Sequence, residues 1–225
     1  MQALPPLETT EIETGPAPTS CLIILHGLGA DGSDFVPFCH ELELSALGAV
    51  RFVLPNAPVM PVSINGGYQM PAWYDILPAS GERREDEASL RRAQVAIDAL
   101  IEREIARGIP ASRIVLMGFS QGCAMTLMSG LRQAHVLGGL IALSGYLPLL
   151  STTADEAHAA NRGTPIFMAH GQHDDVVLMS RGERARDHLR ELGYTIDWHD
   201  YPMTHSLCTQ EVDDINMWLI KLLGR

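Results

Sequence analysis

Apolar runs of strand length alternate with segments of helical period along this 225-residue chain, and that alternation narrows the folds open to it more than any other feature. Runs at 22–25, 50–54, 114–117, 140–143, 165–169 and 194–201 each read as a strand bounded by turn-forming residues. Between them, Leu90, Ala93, Ile97, Leu100, Ile101 and Ile105 fall on one face of a helix that stops at Gly108, with Pro110 just beyond. Shorter helical patterns cover 34–46, 121–133, 181–192 and 211–223. The alternation predicts an α/β fold with a mostly parallel central sheet and helices on both faces, in which ligands bind beyond the carboxyl ends of the strands. A hydrophobic content of 46% supplies one sizeable core. No repeat or linker divides the chain, so a single domain over 1–225 is expected. The Pro/Gly-rich stretch 55–78 is expected to wall the site and 147–164 to form a small flap. Neither is long enough to make a large cap domain.

Charge removes several classes of partner. A net charge of -11 opposes binding to phosphate backbones and to anionic membrane surfaces, so no nucleic-acid partner is expected. The first twenty residues carry three Glu and no Lys or Arg, unlike a secretory leader. No apolar run approaches the ~18 residues of a transmembrane segment. Cys21, Cys39, Cys123 and Cys208 are too scattered for a disulfide framework. A cytoplasmic location fits these features, and they are compatible with a homodimer.

The chemistry is concentrated after residue 113. An apolar strand, Ile114-Val115-Leu116-Met117, runs into Gly118-Phe119-Ser120-Gln121-Gly122, and a helical pattern begins at once. In that context G-x-S-x-G is a nucleophile elbow: the turn is sharp, small residues let the backbone pass, and the serine hydroxyl points into a cleft. A serine hydroxyl needs a base, and the elbow predicts a carboxylate and then a histidine further along the chain. Asp174 follows the run 165–169 within His170-Gly171-Gln172-His173-Asp174, and His205 follows the next run. Ser120, Asp174 and His205 are therefore the expected catalytic groups, with Asp174 preferred to its neighbour Asp175. An oxyanion hole needs two donors. The N–H of Gln121 is one, and that of Leu28 in His26-Gly27-Leu28-Gly29 the other, although those glycines also suit a plain tight turn.

The remaining polar residues read more simply. His40, His135, His158 and His188 are expected to be solvated, and His199 to be a surface or packing residue of a strand. His170 and His173 lack companions at metal-ligand spacing, so a structural role and no metal are expected. Cys123 and Cys208 read as small packing side chains, and the charged stretch 82–87 as a solvated helix entry.

Five blocks together resemble the phospholipase/carboxylesterase family of small α/β-hydrolases, which includes bacterial carboxylesterases and acyl-protein thioesterases. They lie at 25–32, 65–76, 118–122, 142–146 and 170–177 and span nearly the whole chain. The resemblance implies an α/β-hydrolase fold without a large cap, no cofactor, the triad Ser120, Asp174 and His205, and oxyanion donors at Leu28 and Gln121. It also implies a shallow, partly apolar groove with Met70, Trp73 and Leu28 as walls. Two departures stand out, Cys123 and Thr204, where the family usually has glycine. Both are expected to restrict room near the nucleophile. The sequence thus predicts a serine carboxylesterase acting on short or medium acyl esters of small molecules. Its alternative is an acyl-protein thioesterase or lysophospholipase for long chains. A ligand receptor on a hydrolase scaffold is a third reading, which the complete set of catalytic groups argues against.

Overall fold

In the computed structural model, which describes residues 6–78 and 84–224, one seven-stranded sheet organises the chain. Its strands are β1 (Thr9–Glu13), β2 (Ser20–Leu25), β3 (Val50–Pro55), β4 (Ile114–Phe119), β5 (Gly139–Leu143), β6 (Ile166–Gly171) and β7 (Ile196–Tyr201). They lie in the order β1-β3-β2-β4-β5-β6-β7, and all are parallel except β1, which pairs antiparallel with β3 at one edge. Strands β2, β3, β5 and β6 are buried along their whole length, as expected when helices cover both faces.

The principal helices are α1 (Val36–Glu41), α2 (Glu87–Ala106), α3 (Gln121–Arg132), α4 (Met179–Glu191) and α5 (Thr209–Leu223). One face of the sheet packs against Leu90 and Ile97 of α2, Leu127 of α3 and Leu189 of α4. The other packs against Phe38 of α1 and Val212, Ile215 and Leu219 of α5. Helices α2 and α4 both end on a glycine with positive φ, Gly108 at 97° and Gly193 at 88°. At each, the two N–H groups past the helix return to its last turn: Gly108 to Ile105 and Ile109 to Glu104, Gly193 to Arg190 and Tyr194 to Leu189. This closure needs the left-handed conformation that glycine adopts without penalty. Among the described residues no helix is long and apolar enough to cross a membrane.

Three segments differ from the sequence expectation. The helix expected over 34–46 is a 3-10 turn, the short α1 and a second 3-10 turn, because the chain becomes extended at Leu42. The stretch 55–78 holds a hairpin of Val59–Val62 with Tyr68–Pro71. Within the charged stretch 82–87, residues 82 and 83 lie outside the described residues. Arg84–Glu85 pairs as a strand with Ile76–Leu77, and Asp86 caps α2 by accepting from the Ser89 N–H. Glu85 is therefore not a solvated residue, since it pairs with Arg181 at 3.2 Å.

Candidate active site

The elbow at the end of β4 is built by close approach. A side chain at Gly118 would overlap the Gly122 carbonyl, and one at Gly122 would overlap the Leu25 carbonyl of β2. Only glycine admits this crossing of β4, α3 and β2. Ser120 between them has φ 57° and ψ -115°, a strained conformation for a residue with a side chain. Its N–H is held by the Leu143 carbonyl at 2.9 Å.

Three polar groups meet here. His205 Nδ1 lies 2.6 Å from Asp174 Oδ2, and His205 Nε2 lies 2.8 Å from Ser120 Oγ. A carboxylate only accepts, so the proton sits on Nδ1, and Nε2 is left to accept from the serine hydroxyl. The other oxygen of Asp174 accepts from the N–H groups of Val176 and Val177, at 2.9 and 2.8 Å. Asp174 is buried while Asp175 is exposed, so Asp174 is the carboxylate that faces the imidazole. The Phe119 ring packs on His205 with ring centres 4.7 Å apart. His170 is buried beneath, donating from Nε2 to the Val177 carbonyl at 2.7 Å, and burial keeps it below the usual imidazole value.

Leu28 and Gln121 both line the cavity at Ser120. Gln121 opens α3, so its N–H has no acceptor within the helix. The Leu28 loop is held from several sides. Gly29 N–H donates to the Pro71 carbonyl at 2.8 Å. His26 is buried, donates from Nδ1 to its neighbour's carbonyl and accepts from the Ala57 N–H at Nε2, and burial lowers its pKa. Trp73 donates its indole N–H to the His26 carbonyl at 2.8 Å.

That bond gives Trp73 a different place from the one expected. It is 2% exposed and supports the loop from within the core; neither it nor Met70 lines the Ser120 cavity. The Met70 sulfur instead lies near Gly29. The departures at Cys123 and Thr204 leave the cleft unrestricted as well. Cys123 is buried against Gly145, where a side chain would overlap it, and Thr204 is exposed outside the cavity. Burial pushes the Cys123 thiol well above its ordinary value. The Gln121 side chain has a part that its motif position does not announce. Its carboxamide accepts from the Trp73 N–H and donates to the Tyr74 carbonyl, both at 2.8 Å, and so fixes the 73–74 segment against the elbow.

The cavity at Ser120 has a volume of about 650 Å³. Its walls have two sides, or arms: Phe35, Phe38, Leu207 and Val212 from the core on one face of the sheet, and Tyr74, Ile76 and Val177 from the core on the other, together with Arg181. Among the described residues no group of three or more His, Cys, Asp or Glu could hold a metal ion. The arrangement can move a proton from a serine hydroxyl to an imidazole while a carboxylate holds that imidazole in place, which is acyl-transfer chemistry.

Comparison with known proteins agrees with this chemistry. Residues 8–223 match the profile of the phospholipase/carboxylesterase family. The chain is 43% identical to acyl-protein thioesterase 1 of Neurospora crassa, over 92% of this chain and 88% of the relative. To acyl-protein thioesterase 1 of Yarrowia lipolytica it is 38% identical, over 96% and 97%. The crystal structure of Arabidopsis thaliana SOBER1 superposes with a TM-score of 0.86 at 33% identity, covering 91% of this chain and 99% of that one. The chain thus belongs to the phospholipase/carboxylesterase family and is an α/β-hydrolase acting on esters or thioesters.

Proposed function

We propose that this chain is an acyl-protein thioesterase, releasing acyl groups from cysteine thiols through an acyl-enzyme on Ser120. The observation that carries the reading is the relay from Asp174 through His205 to Ser120, opening into a cavity with apolar walls. The choice of thioester over small carboxylic ester rests on the relatives: two that cover nine-tenths of the chain are named acyl-protein thioesterase 1. On that ground the small-ester reading of the sequence yields to the thioesterase part of its alternative, with the acyl length left to the cavity.

In the first half-reaction His205 Nε2 takes the Ser120 proton as Oγ bonds to the acyl carbon. The backbone N–H groups of Leu28 and Gln121 receive the oxyanion. Collapse breaks the carbon–sulfur bond, and His205 returns its proton to the departing thiolate. In the second half-reaction His205 takes a proton from water, whose oxygen bonds to the acyl carbon, and returns that proton to Ser120 Oγ as the bond to Oγ breaks and the carboxylic acid is freed. Asp174 holds the imidazole in the required tautomer and stabilises its cation throughout.

The test is release of free thiol from an S-acylated cysteinyl peptide, alongside p-nitrophenyl esters of matched chain length. Thioester hydrolysis is expected, and Ser120→Ala should lower kcat roughly a millionfold. Hydrolysis of the esters with the S-acyl peptides left intact would return the chain to the small-ester reading. Near-native activity in the Ser120 variant would remove the nucleophile assignment.

A further inference from the structure

The two arms of the Ser120 cavity serve different halves of a substrate. His205 must protonate the departing sulfur or oxygen, so the leaving group lies on the side of the His205 segment. That side continues through Leu207 into the arm with Phe35 and Phe38. The acyl chain takes the opposite direction, past Tyr74, which is bonded to the oxyanion residue Gln121, and on past Ile76 and Val177.

This arm is apolar along its sides but ends on a charge. The Arg181 guanidinium lies over the Tyr146 ring, its carbon 3.5 Å from the ring centre. It is held there by Glu85 at 3.2 Å. Tyr146 is fixed in turn by a 2.7 Å hydrogen bond between its hydroxyl and that of Tyr74, both buried. Beyond this partition is a second cavity of about 800 Å³, also bordered by Tyr146 and Arg181, where Leu77, Leu147, Leu149 and Leu150 stand beside the charged residues Arg84, Glu85, Asp86, Glu87 and Arg184. The apolar arm therefore ends on a guanidinium set over a phenol, with a largely polar cavity on the far side.

We propose that Arg181 sets the upper length of the acyl chain, acting as a polar stop where the apolar arm of the catalytic cavity meets the second cavity. The proposal rests on the acyl-enzyme reading of Ser120, although it does not depend on whether the leaving atom is sulfur or oxygen. Up to the stop, each methylene buried in the arm should raise kcat/KM, by about fourfold at ~0.8 kcal/mol per CH₂. At the stop the gain ends. A longer chain must strip solvent from the Arg181–Glu85 pair or dislodge it, and an alkyl terminus returns no hydrogen bond in exchange. Methionine is of similar length and carries no charge, so it would remove the stop and let a longer chain run on toward Leu147, Leu149 and Leu150.

The experiment measures kcat/KM for p-nitrophenyl esters and S-acyl cysteinyl peptides from acetyl to palmitoyl, in the natural protein, Arg181→Met and Glu85→Gln. The natural protein should peak at medium chains. In Arg181→Met the palmitoyl-to-octanoyl ratio should rise at least tenfold, mainly through KM. Glu85→Gln, which releases the guanidinium without removing it, should move the ratio the same way by less. Circular dichroism and thermal melting establish that each variant is folded. An unchanged ratio in folded Arg181→Met, or a natural protein whose rate keeps climbing to palmitoyl, overturns the stop. Failure of the thioesterase reading shows separately, as loss of the peptide series with the ester series retained. If Arg181→Met does not fold, Glu85→Gln alone decides, and an unchanged ratio in it refutes the proposal.

Discussion

Gly118 and Gly122 show how little latitude single residues have at this site, because each carries a neighbour's carbonyl where its own side chain would be. The same economy separates Asp174 from Asp175, which differ by one position and face opposite ways. Asp174→Asn should lower kcat by around 10⁴, as loss of the orienting carboxylate does in serine proteases, while Asp175→Asn should leave it within a few-fold. Steady-state kinetics of the two variants checks the ranking, and the reverse order would place the wrong carboxylate beside His205. Trp73 gives a subtler expectation. Trp73→Phe keeps most of the buried ring but removes the donor to the His26 carbonyl. A buried carbonyl left unpaired costs about 1–3 kcal/mol. The variant should therefore melt earlier and lose kcat with KM little changed, since the carbonyl belongs to the loop that carries Leu28. An unaltered kcat would separate Trp73 from the oxyanion loop.

Among the elements, α5 carries an unusual burden at its entry. Glu211, in its first turn, is completely buried, and neither carboxyl oxygen has a well-aligned hydrogen-bond partner. Burial pushes its pKa from 4.5 up to about 8. Between those two values the folded chain holds a proton that the unfolded chain has released, so stability falls as pH rises across this window. Glu211→Gln removes that titration. It should be the more stable protein at pH 8 and above, by on the order of a few kcal/mol, with the gap closing toward pH 5. Melting temperatures of both proteins across that range measure it; parallel curves would mean that Glu211 is not the titrating group.

Elements also differ in how plainly the sequence announces them. The interior strands are continuous apolar runs because both of their faces are covered, and α2 keeps a helical stripe for five turns. Edge strand β1, Thr-Thr-Glu-Ile-Glu, is half exposed and has no such signature. The hairpin from Val59 to Pro71 is hidden by the prolines at 58, 61 and 71, which suit edges as well as loops. Helix α1 is shorter than its pattern because Leu42, Leu44 and Leu47 are buried from extended and 3-10 backbone, where apolar spacing follows no helical period.

At the scale of the molecule, the site was legible where it depends on chain order and obscure where it depends on burial. A parallel sheet places the ends of β4, β6 and β7 on one rim, so a serine, an aspartate and a histidine that follow those strands converge there without any further signal. Nothing comparable fixes whether an aromatic residue in a loop faces a groove or the core, and Trp73 faces the core. Arg181 is hidden for a related reason. It is one of several arginines along α4, alike in sequence, and only the tertiary contact with Tyr146 and Glu85 sets it apart.

The two glycine-closed helix ends have a practical consequence. Gly108 leads to β4 and Gly193 to β7, so both turns lie at the amino ends of strands whose opposite ends carry Ser120 and His205. Nothing lies within 4 Å of the position a side chain would take at either glycine. An attachment handle or a short inserted tag at those turns would reach solvent on the rim away from the cleft, the kind of exposed turn at which insertions are tolerated. The enzyme could thus be anchored to a bead or a bilayer with its cleft turned outward, where a bulky substrate has room to approach.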